Sequence, residues 1–170
     1  MIILGIDPGL ANTGWGVVEV EGNRFRCLGH GCITTASTRE TAERLKAVRD
    51  QLASLIALYS PLEAALENVY FSTNVRSAMA TGQARGAALV AVADAGLPVG
   101  EYGPGEIKLA VTGHGSADKR QVTYMVRAVL GMREAPKPDH AADALAVAIC
   151  HANCRVARAR ARDLRTAAAK

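Results

Sequence analysis

Aromatic residues are scarce in this chain. They make up 4% of its 170 residues, whereas 49% of the residues are hydrophobic. A core must therefore be built mainly from alanine, valine and leucine. The length is that of one ordinary domain and is sufficient to bury such a core.

Long hydrophobic runs are also missing. No apolar segment reaches membrane-spanning length without a charged residue, so we expect no membrane contact. The apolar start is short, lacks a basic lead and runs into Asp7, which argues against a signal peptide. We therefore expect a cytoplasmic protein.

Cysteine is present, but not in a zinc-binding pattern. Cys27 and Cys32 lie five residues apart on a predicted strand, a spacing that puts them on opposite faces. Cys150 and Cys154 share one face of a predicted helix. Neither pair has the spacing of a zinc knuckle, so we expect four reduced thiols.

Positive charge is concentrated at the C-terminal end. The formal net charge is +4, and residues 155–170 alone carry six basic side chains and one acid, which leaves −1 for the rest. We predict a folded domain over 1–154 and a basic, flexible tail over 155–170, with a solvated, frayed terminus as its plain explanation. Any nucleic acid must then be held by a local patch on the domain.

The hydrophobic pattern predicts three strands, a helix, a strand, a helix, a strand and further helices. The predicted strands are 2–7, 14–20, 24–34, 64–69 and 99–102. The predicted helices are 38–59, 75–95, 105–111, one that Ser116 caps and one that Asp139 caps. This order matches a ribonuclease-H-like α/β architecture, a mixed five-stranded sheet with helices on both faces.

Two predicted parallel strands each end on an acid. Asp7 follows one apolar run and Glu67 follows another, while His140 and Asp143 lie three apart at the start of an apolar helix. An ionised carboxylate beside an apolar strand is costly unless a cation compensates it. The four side chains therefore predict a metal site, and oxygen-rich metal sites suggest phosphate chemistry.

Each of these residues has a simpler explanation when it is taken alone. Asp7 opens an Asp-Pro-Gly turn, Glu67 is compatible with a solvated strand end, and Asp143 favours the dipole of its helix. His140 has no such explanation, because an imidazolium is disfavoured at the positive end of a helix. The joint placement of the four is therefore the stronger signal.

Several motifs carry a resemblance to a known family. They are Gly-Ile-Asp-Pro-Gly with the following Thr-Gly-Trp-Gly, Leu-Glu-Asn-Val-Tyr, Thr-Gly-Gln-Ala-Arg-Gly, Gly-Ser-Ala-Asp-Lys and Asp-His-Ala-Ala-Asp-Ala-Leu-Ala. In this order, from Ile2 to about His151, the chain resembles the RuvC family of bacterial Holliday-junction resolvases. The resemblance implies a homodimeric crossover junction endodeoxyribonuclease that acts in homologous recombination and DNA repair.

The resemblance also implies a ligand set and cofactors. Asp7, Glu67, His140 and Asp143 match the family's catalytic, metal-binding positions, with two divalent cations per subunit, Mg²⁺ or Mn²⁺. The third position is often Asp in the family. Here the position of Ala-Ala-Asp in the helical pattern favours His140, rather than the neighbouring Asp139, as the ligand. Imidazole suits Mg²⁺ less well than carboxylate does and tolerates Mn²⁺ better.

DNA contacts are expected from basic and aromatic residues around these ligands. Lys108 and Lys119 match basic positions of the family, and Tyr70 matches an aromatic one. From the residues themselves we add Arg76, Arg120 and Phe71. We expect the two arginines to bind phosphate, and Phe71 to stack with Tyr70 on an unpaired base. A solvated basic surface and a core position for Phe71 are the alternatives.

A helix rich in small residues is the candidate dimer interface. Gly82 and Gly86 lie four apart on it, a spacing that lets another backbone approach closely. Ordinary tight packing against the sheet is the alternative. The implied partners are four-way junction DNA, a second copy of the chain, and a branch-migration motor complex of the RuvA and RuvB type.

The preferred function is symmetric, metal-dependent nicking of two junction strands of like polarity. A related ribonuclease-H-like nuclease that acts on another branched DNA or on an RNA–DNA hybrid is the nearest alternative. A non-catalytic junction binder is disfavoured because all four ligand positions are competent. An ATP-binding member of the actin and sugar-kinase superfamily needs two such domains, and 170 residues are too few.

Overall fold

The computed structural model describes the backbone of residues 1–68 and 75–168, with side chains up to Arg155. The strands in this part of the chain are β1 (Ile2–Asp7), β2 (Asn12–Glu21), β3 (Arg24–Thr34), β4 (Glu63–Glu67) and β5 (Val99–Tyr102). The helices are α1 (Thr41–Tyr59), α2 (Val75–Asp94), α3 (Pro104–Thr112), α4 (Lys119–Val129) and α5 (Asp139–Ala168).

The strands form one mixed sheet in the order β3-β2-β1-β4-β5. Strands β1, β2 and β3 are the expected antiparallel meander, whereas β4 is parallel to both β1 and β5. The predicted fold class, a ribonuclease-H-like five-stranded sheet, is confirmed. Because β1 and β4 are neighbours in parallel, their carboxyl ends meet at one edge of the sheet.

Helices cover both faces of the sheet. One apolar cluster joins the sheet to α3, α4 and α5, and the other joins it to α1 and α2. Glycines let α5 lie directly on the strands: a Cβ atom at Gly14 would lie 1.9 Å from the carbonyl oxygen of His140, and one at Gly5 would lie 2.1 Å from that of Ala144. Glycine at these two positions therefore brings the first turns of α5 against the ends of β1 and β2.

Several predicted boundaries were wrong by a few residues. Helix α1 begins at Thr41 rather than 38, and β4 ends at Glu67. Asp118, not Ser116, caps α4, because its carboxylate accepts from the backbone of Gln121 at 2.9 Å and the Gln121 side chain accepts from the backbone of Asp118 at 2.8 Å. Helix α5 begins at Asp139 itself, so this residue is not the cap.

The predicted placement of the first two cysteines was also wrong. Cys27 pairs with Val18 and Cys32 with Gly14, but the register shifts between Val17 and Val18. This β-bulge adds a residue and reverses the alternation, so both thiols lie on the α5 side of the sheet. All four cysteines are free thiols, as expected.

Helix α5 continues to Ala168, so the predicted boundary between domain and tail lies within it. A flexible tail over 155–170 stays a prediction. Within the described residues, no helix is long and apolar enough to cross a bilayer.

Candidate metal centre and nucleic-acid cleft

The sheet and α5 bring three of the predicted ligands together. Asp7 ends β1, and the glycine contacts described above place His140 and Asp143, on the first turns of α5, against that strand end. The ligand atoms of Asp7, His140 and Asp143 all lie within 4.8 Å of one another. Residues more than 130 positions apart in the chain thus form one cluster.

His140 and Asp7 are in direct contact. Nδ1 of His140 lies 2.8 Å from Oδ2 of Asp7. Without a cation between them, the carboxylate accepts and Nδ1 donates; a cation that both atoms coordinate would replace that proton. Two ligand atoms at right angles on one octahedral cation, with bonds of about 2.1 Å, would be about 3 Å apart. The observed separation is therefore compatible with shared coordination of a cation.

Glu67 lies outside that trio but borders it. It ends β4, is half-buried and lines a cleft together with Asp143. Burial, reinforced by the negative charges of Asp7 and Asp143, raises the pKa of Glu67 to about 7. Burial and then the charge of Asp143 likewise raise the pKa of Asp7, against the lowering effect of His140.

These raised pKa values show that burial and mutual repulsion make the ionised carboxylates costly here. A divalent cation would remove the cost by holding the carboxylates ionised. The donor set, three carboxylates and one imidazole, is suited to Mg²⁺ or Mn²⁺. The residues therefore fit a metal centre of the expected kind.

Two lysines line the cleft beside the acids. The cleft has a volume of about 270 Å³ and includes Glu67, Lys108, Lys119 and Asp143, with an apolar wall of Pro104, Ile107, Val122 and Ala146. Nζ of Lys119 lies 3.2 Å from Asp143 and 3.4 Å from Asp139. Burial disfavours the charged form of Lys119, but these two carboxylates raise its pKa, so it stays a cation.

The other predicted DNA contacts are not brought into this cleft. Arg120 is exposed and lines a separate groove with Tyr124. Neighbouring helical residues point about 100° apart, so Arg120 cannot share the direction of Lys119. Arg76 is exposed in the first turn of α2. Tyr70 and Phe71 lie outside the described residues.

The sequence analysis missed a contact that supports Glu67. The guanidinium of Arg85 donates to Oδ1 of Asn68 at 3.3 Å and pairs with Glu101 at 2.6 Å. Asn68 directly follows Glu67, so the contact ties the end of β4 to α2 and β5. The only sequence signal was an arginine inside a helix of small residues, which does not reveal its partners.

Fold and site together define a class, the ribonuclease-H-like nucleases with a carboxylate metal centre. Comparison with known proteins narrows it: the family described as "Crossover junction endodeoxyribonuclease RuvC" matches residues 3–151. The protein of that name from Alkaliphilus oremlandii is 50% identical over 153 residues, which cover 90% of this chain and 93% of the relative.

Solved structures agree. The RuvC structure from Thermus thermophilus superimposes with a TM-score of 0.86 at 40% identity and covers 92% of this chain and 97% of its own. The T. thermophilus RuvC in complex with Holliday junction substrate gives 0.87 at 39% identity, covering 91% and 94%. The chain therefore belongs to the RuvC family.

Proposed function

We propose that this protein is a structure-specific endonuclease that resolves four-way DNA junctions, in homologous recombination and DNA repair. It nicks two strands of like polarity symmetrically. The single observation that carries the proposal is the cluster of Asp7, His140 and Asp143, which joins a lysine-lined cleft through Asp143 and the neighbouring Glu67. Membership of the RuvC family and the likeness to a RuvC bound to a Holliday junction support it.

We propose that the four side chains hold two divalent cations per subunit. Cations held there would supply activation of a water for in-line attack and stabilisation of the leaving 3′ oxygen. Asp7, His140 and Asp143 would hold a cation together, because their ligand atoms lie within 4.8 Å of one another. Glu67 supplies its carboxylate from the cleft side.

The lysines act on the substrate. Lys108 and Lys119 both line the cleft, and Lys119 is paired there with Asp143. Both contribute positive charge where a scissile phosphate must approach carboxylates, which reduces electrostatic repulsion. Tyr70 and Phe71, which follow Glu67 in the chain, are proposed to stack on an unpaired base at the crossover. Arg76 and Arg120 are proposed to bind phosphates farther from the cleft.

A second copy of the chain would supply the second site. Helix α2 presents an exposed stripe on which Val75 is 70%, Met79 63% and Val90 52% accessible. Gly82 and Gly86 lie on this stripe, and no described atom outside their own stretch of helix lies within 4 Å of where their Cβ atoms would be. Packing against the sheet therefore does not explain the two glycines. We propose that this stripe is the two-fold interface, which places two identical sites on one junction.

The remaining partners follow from the proposed function. We propose that the protein works with a branch-migration motor complex of the RuvA and RuvB type in the bacterial cytoplasm. Residues 1–154 form the nuclease domain in this proposal, and the basic residues of 155–170 add charge for DNA.

Cleavage of three synthetic substrates tests the proposal. With Mg²⁺ or Mn²⁺, we expect paired nicks at symmetric positions of a four-way junction, with 5′ phosphates and ligatable ends. A flap and an RNA–DNA hybrid should be cut far more slowly. Preferential cutting of the hybrid or the flap would favour the alternative nuclease and overturn junction resolution.

Equilibrium sedimentation at micromolar concentration should give a dimer, and a Gly86→Leu variant should shift the equilibrium to monomer.

A further inference from the structure

A second groove reaches the metal cluster from the other face of the sheet. It has a volume of about 280 Å³ and lies between the β1–β2 turn, α1, α2 and the start of α5. Its lining includes Asn12, Arg44, Ser77, Thr81 and His140. It shares no lining residue with the lysine cleft, and it meets the cluster at His140 rather than at Asp143 and Glu67.

The charge of this groove differs from that of the cleft. Among the described residues no carboxylate lines it, whereas Arg44 supplies a permanent cation and the other polar residues supply amide, hydroxyl and imidazole groups. The groove is thus suited to an anion. In the cleft, by contrast, Lys119 is already paired with two carboxylates.

Arg44 is anchored through one edge of its guanidinium. Its Nε donates to Oγ1 of Thr35 at 2.9 Å, and that buried hydroxyl donates to the carbonyl of Leu10 at 2.5 Å. This chain of bonds fixes one edge of the guanidinium. In the described part of the chain, the terminal nitrogens of Arg44 make no hydrogen bond or ion pair, and a guanidinium fork of this kind suits a phosphate.

We propose that this groove carries the cleaved DNA strand beyond the metal centre, and that Arg44 binds a phosphodiester next to the scissile one. The inference rests on the proposed nuclease function. A strand that crosses the cluster must leave on the side opposite its entry, and the two grooves reach the cluster from the two faces of the sheet. The lysine cleft holds one flank of the strand and the Arg44 groove holds the other.

The salt dependence of junction binding tests this proposal. Dissociation constants for a four-way junction are measured in EDTA over a series of salt concentrations for wild type, Arg44→Met, Arg44→Gln and Arg44→Lys. Arg49→Met is the matched control, because Arg49 lies on the same helix but pairs with Asp94 at 2.5 Å. Thr35→Val removes the hydrogen bond to Arg44 and keeps the cation.

We expect Arg44→Met and Arg44→Gln to weaken binding roughly tenfold and to reduce the salt slope by about one per subunit. Arg44→Lys, Arg49→Met and Thr35→Val should keep most of the slope. An unchanged slope in both neutral Arg44 variants, or a full loss in Thr35→Val, would overturn the proposal and leave Arg44 as a support for the turn. If wild type neither binds nor cuts the junction, the proposed function itself fails.

Discussion

Two histidines of helix α5 each pair with a carboxylate of the sheet. The contrast between the two pairs explains where the candidate metal site lies. Nδ1 of His140 lies 2.8 Å from Oδ2 of Asp7, and Nε2 of His151 lies 2.7 Å from Oε2 of Glu63. The two contacts have nearly the same length. Their roles must therefore be decided by what surrounds them.

The pair at His151 is balanced by its neighbours. The hydroxyl of Tyr102 lies 2.8 Å from the second ring nitrogen of His151, and Nε of Arg155 lies 2.8 Å from the second oxygen of Glu63. The side chains of His151 and Glu63 are only 9% and 17% exposed. Every charge has a partner here, so the group ties β4 and β5 to α5 and has no capacity left for a cation.

The pair at His140 is not balanced. Asp143 lies in the same cluster, and burial, reinforced by the charges of Asp7 and Asp143, raises the pKa of Glu67 to about 7. Lys119 compensates part of the charge of Asp143. Excess carboxylate, rather than the histidine–carboxylate pair itself, therefore marks the candidate metal centre.

The largest effect expected is on catalysis. Asp7→Asn should lower the rate of junction cleavage by more than the roughly 100-fold typical of lost outer partners of a metal site, because a proposed direct ligand is removed. Junction affinity in EDTA should change little. Glu63→Gln, the same change at the balanced pair, should keep cleavage near wild type below its melting temperature. Full cleavage by Asp7→Asn in metal-purified solutions would contradict the assignment.

The next effect is on stability, where Glu63→Gln should be more damaging than Asp7→Asn. Glu63→Gln leaves a buried imidazole and Arg155 without their carboxylate, so we expect a loss of about 2 kcal/mol in the free energy of unfolding. Urea unfolding of the metal-free protein measures it. Asp7→Asn should lower the free energy of unfolding less, or even raise it, because it removes one negative charge from a cluster of repelling carboxylates. A larger loss in Asp7→Asn than in Glu63→Gln would break the comparison.

The raised pKa of Glu67 gives a pH dependence. The folded protein binds a proton more tightly at Glu67, with a pKa of about 7, than the unfolded chain does at 4.5. Metal-free wild type therefore loses stability as pH rises from about 4.5 to 7. Glu67→Gln lacks this loss and should be more stable by about 1–2 kcal/mol at pH 8. Thermal unfolding at pH 5 and pH 8 checks it, and equal wild-type and variant curves would contradict it.

The smallest effect concerns the choice of metal. His140→Asp replaces the imidazole by a carboxylate, which Mg²⁺ prefers, so the ratio of Mg²⁺-supported to Mn²⁺-supported cleavage should rise several-fold. Parallel cleavage assays in the two metals measure the ratio. An unchanged ratio would mean that His140 does not set the metal preference.

The sequence predicted the parts of the site that depend on local pattern. Asp7 and Glu67 could be placed because each ends an apolar run, and parallel neighbours end at one edge. The spacing of His140 and Asp143 gave their shared helix face. Family resemblance then supplied the roles, which the pattern alone could not.

Other features depend on contacts between distant segments. The β-bulge that puts Cys27 and Cys32 on one face follows from strand pairing and not from spacing. The cap of α4, by contrast, had a local signal, because Asp118 and Gln121 bond each other's backbone. The partners of Arg44 and Arg85 come from other elements, so no local pattern could reveal the second groove.

Crystals soaked in Mn²⁺ test the central claim most directly. Anomalous diffraction should place Mn²⁺ about 2.0–2.6 Å from ligand atoms of Asp7, Glu67, His140 and Asp143, with no Mn²⁺ at His151 and Glu63. Mn²⁺ bound away from these four side chains, or no Mn²⁺ among them at concentrations that support cleavage, would contradict the account.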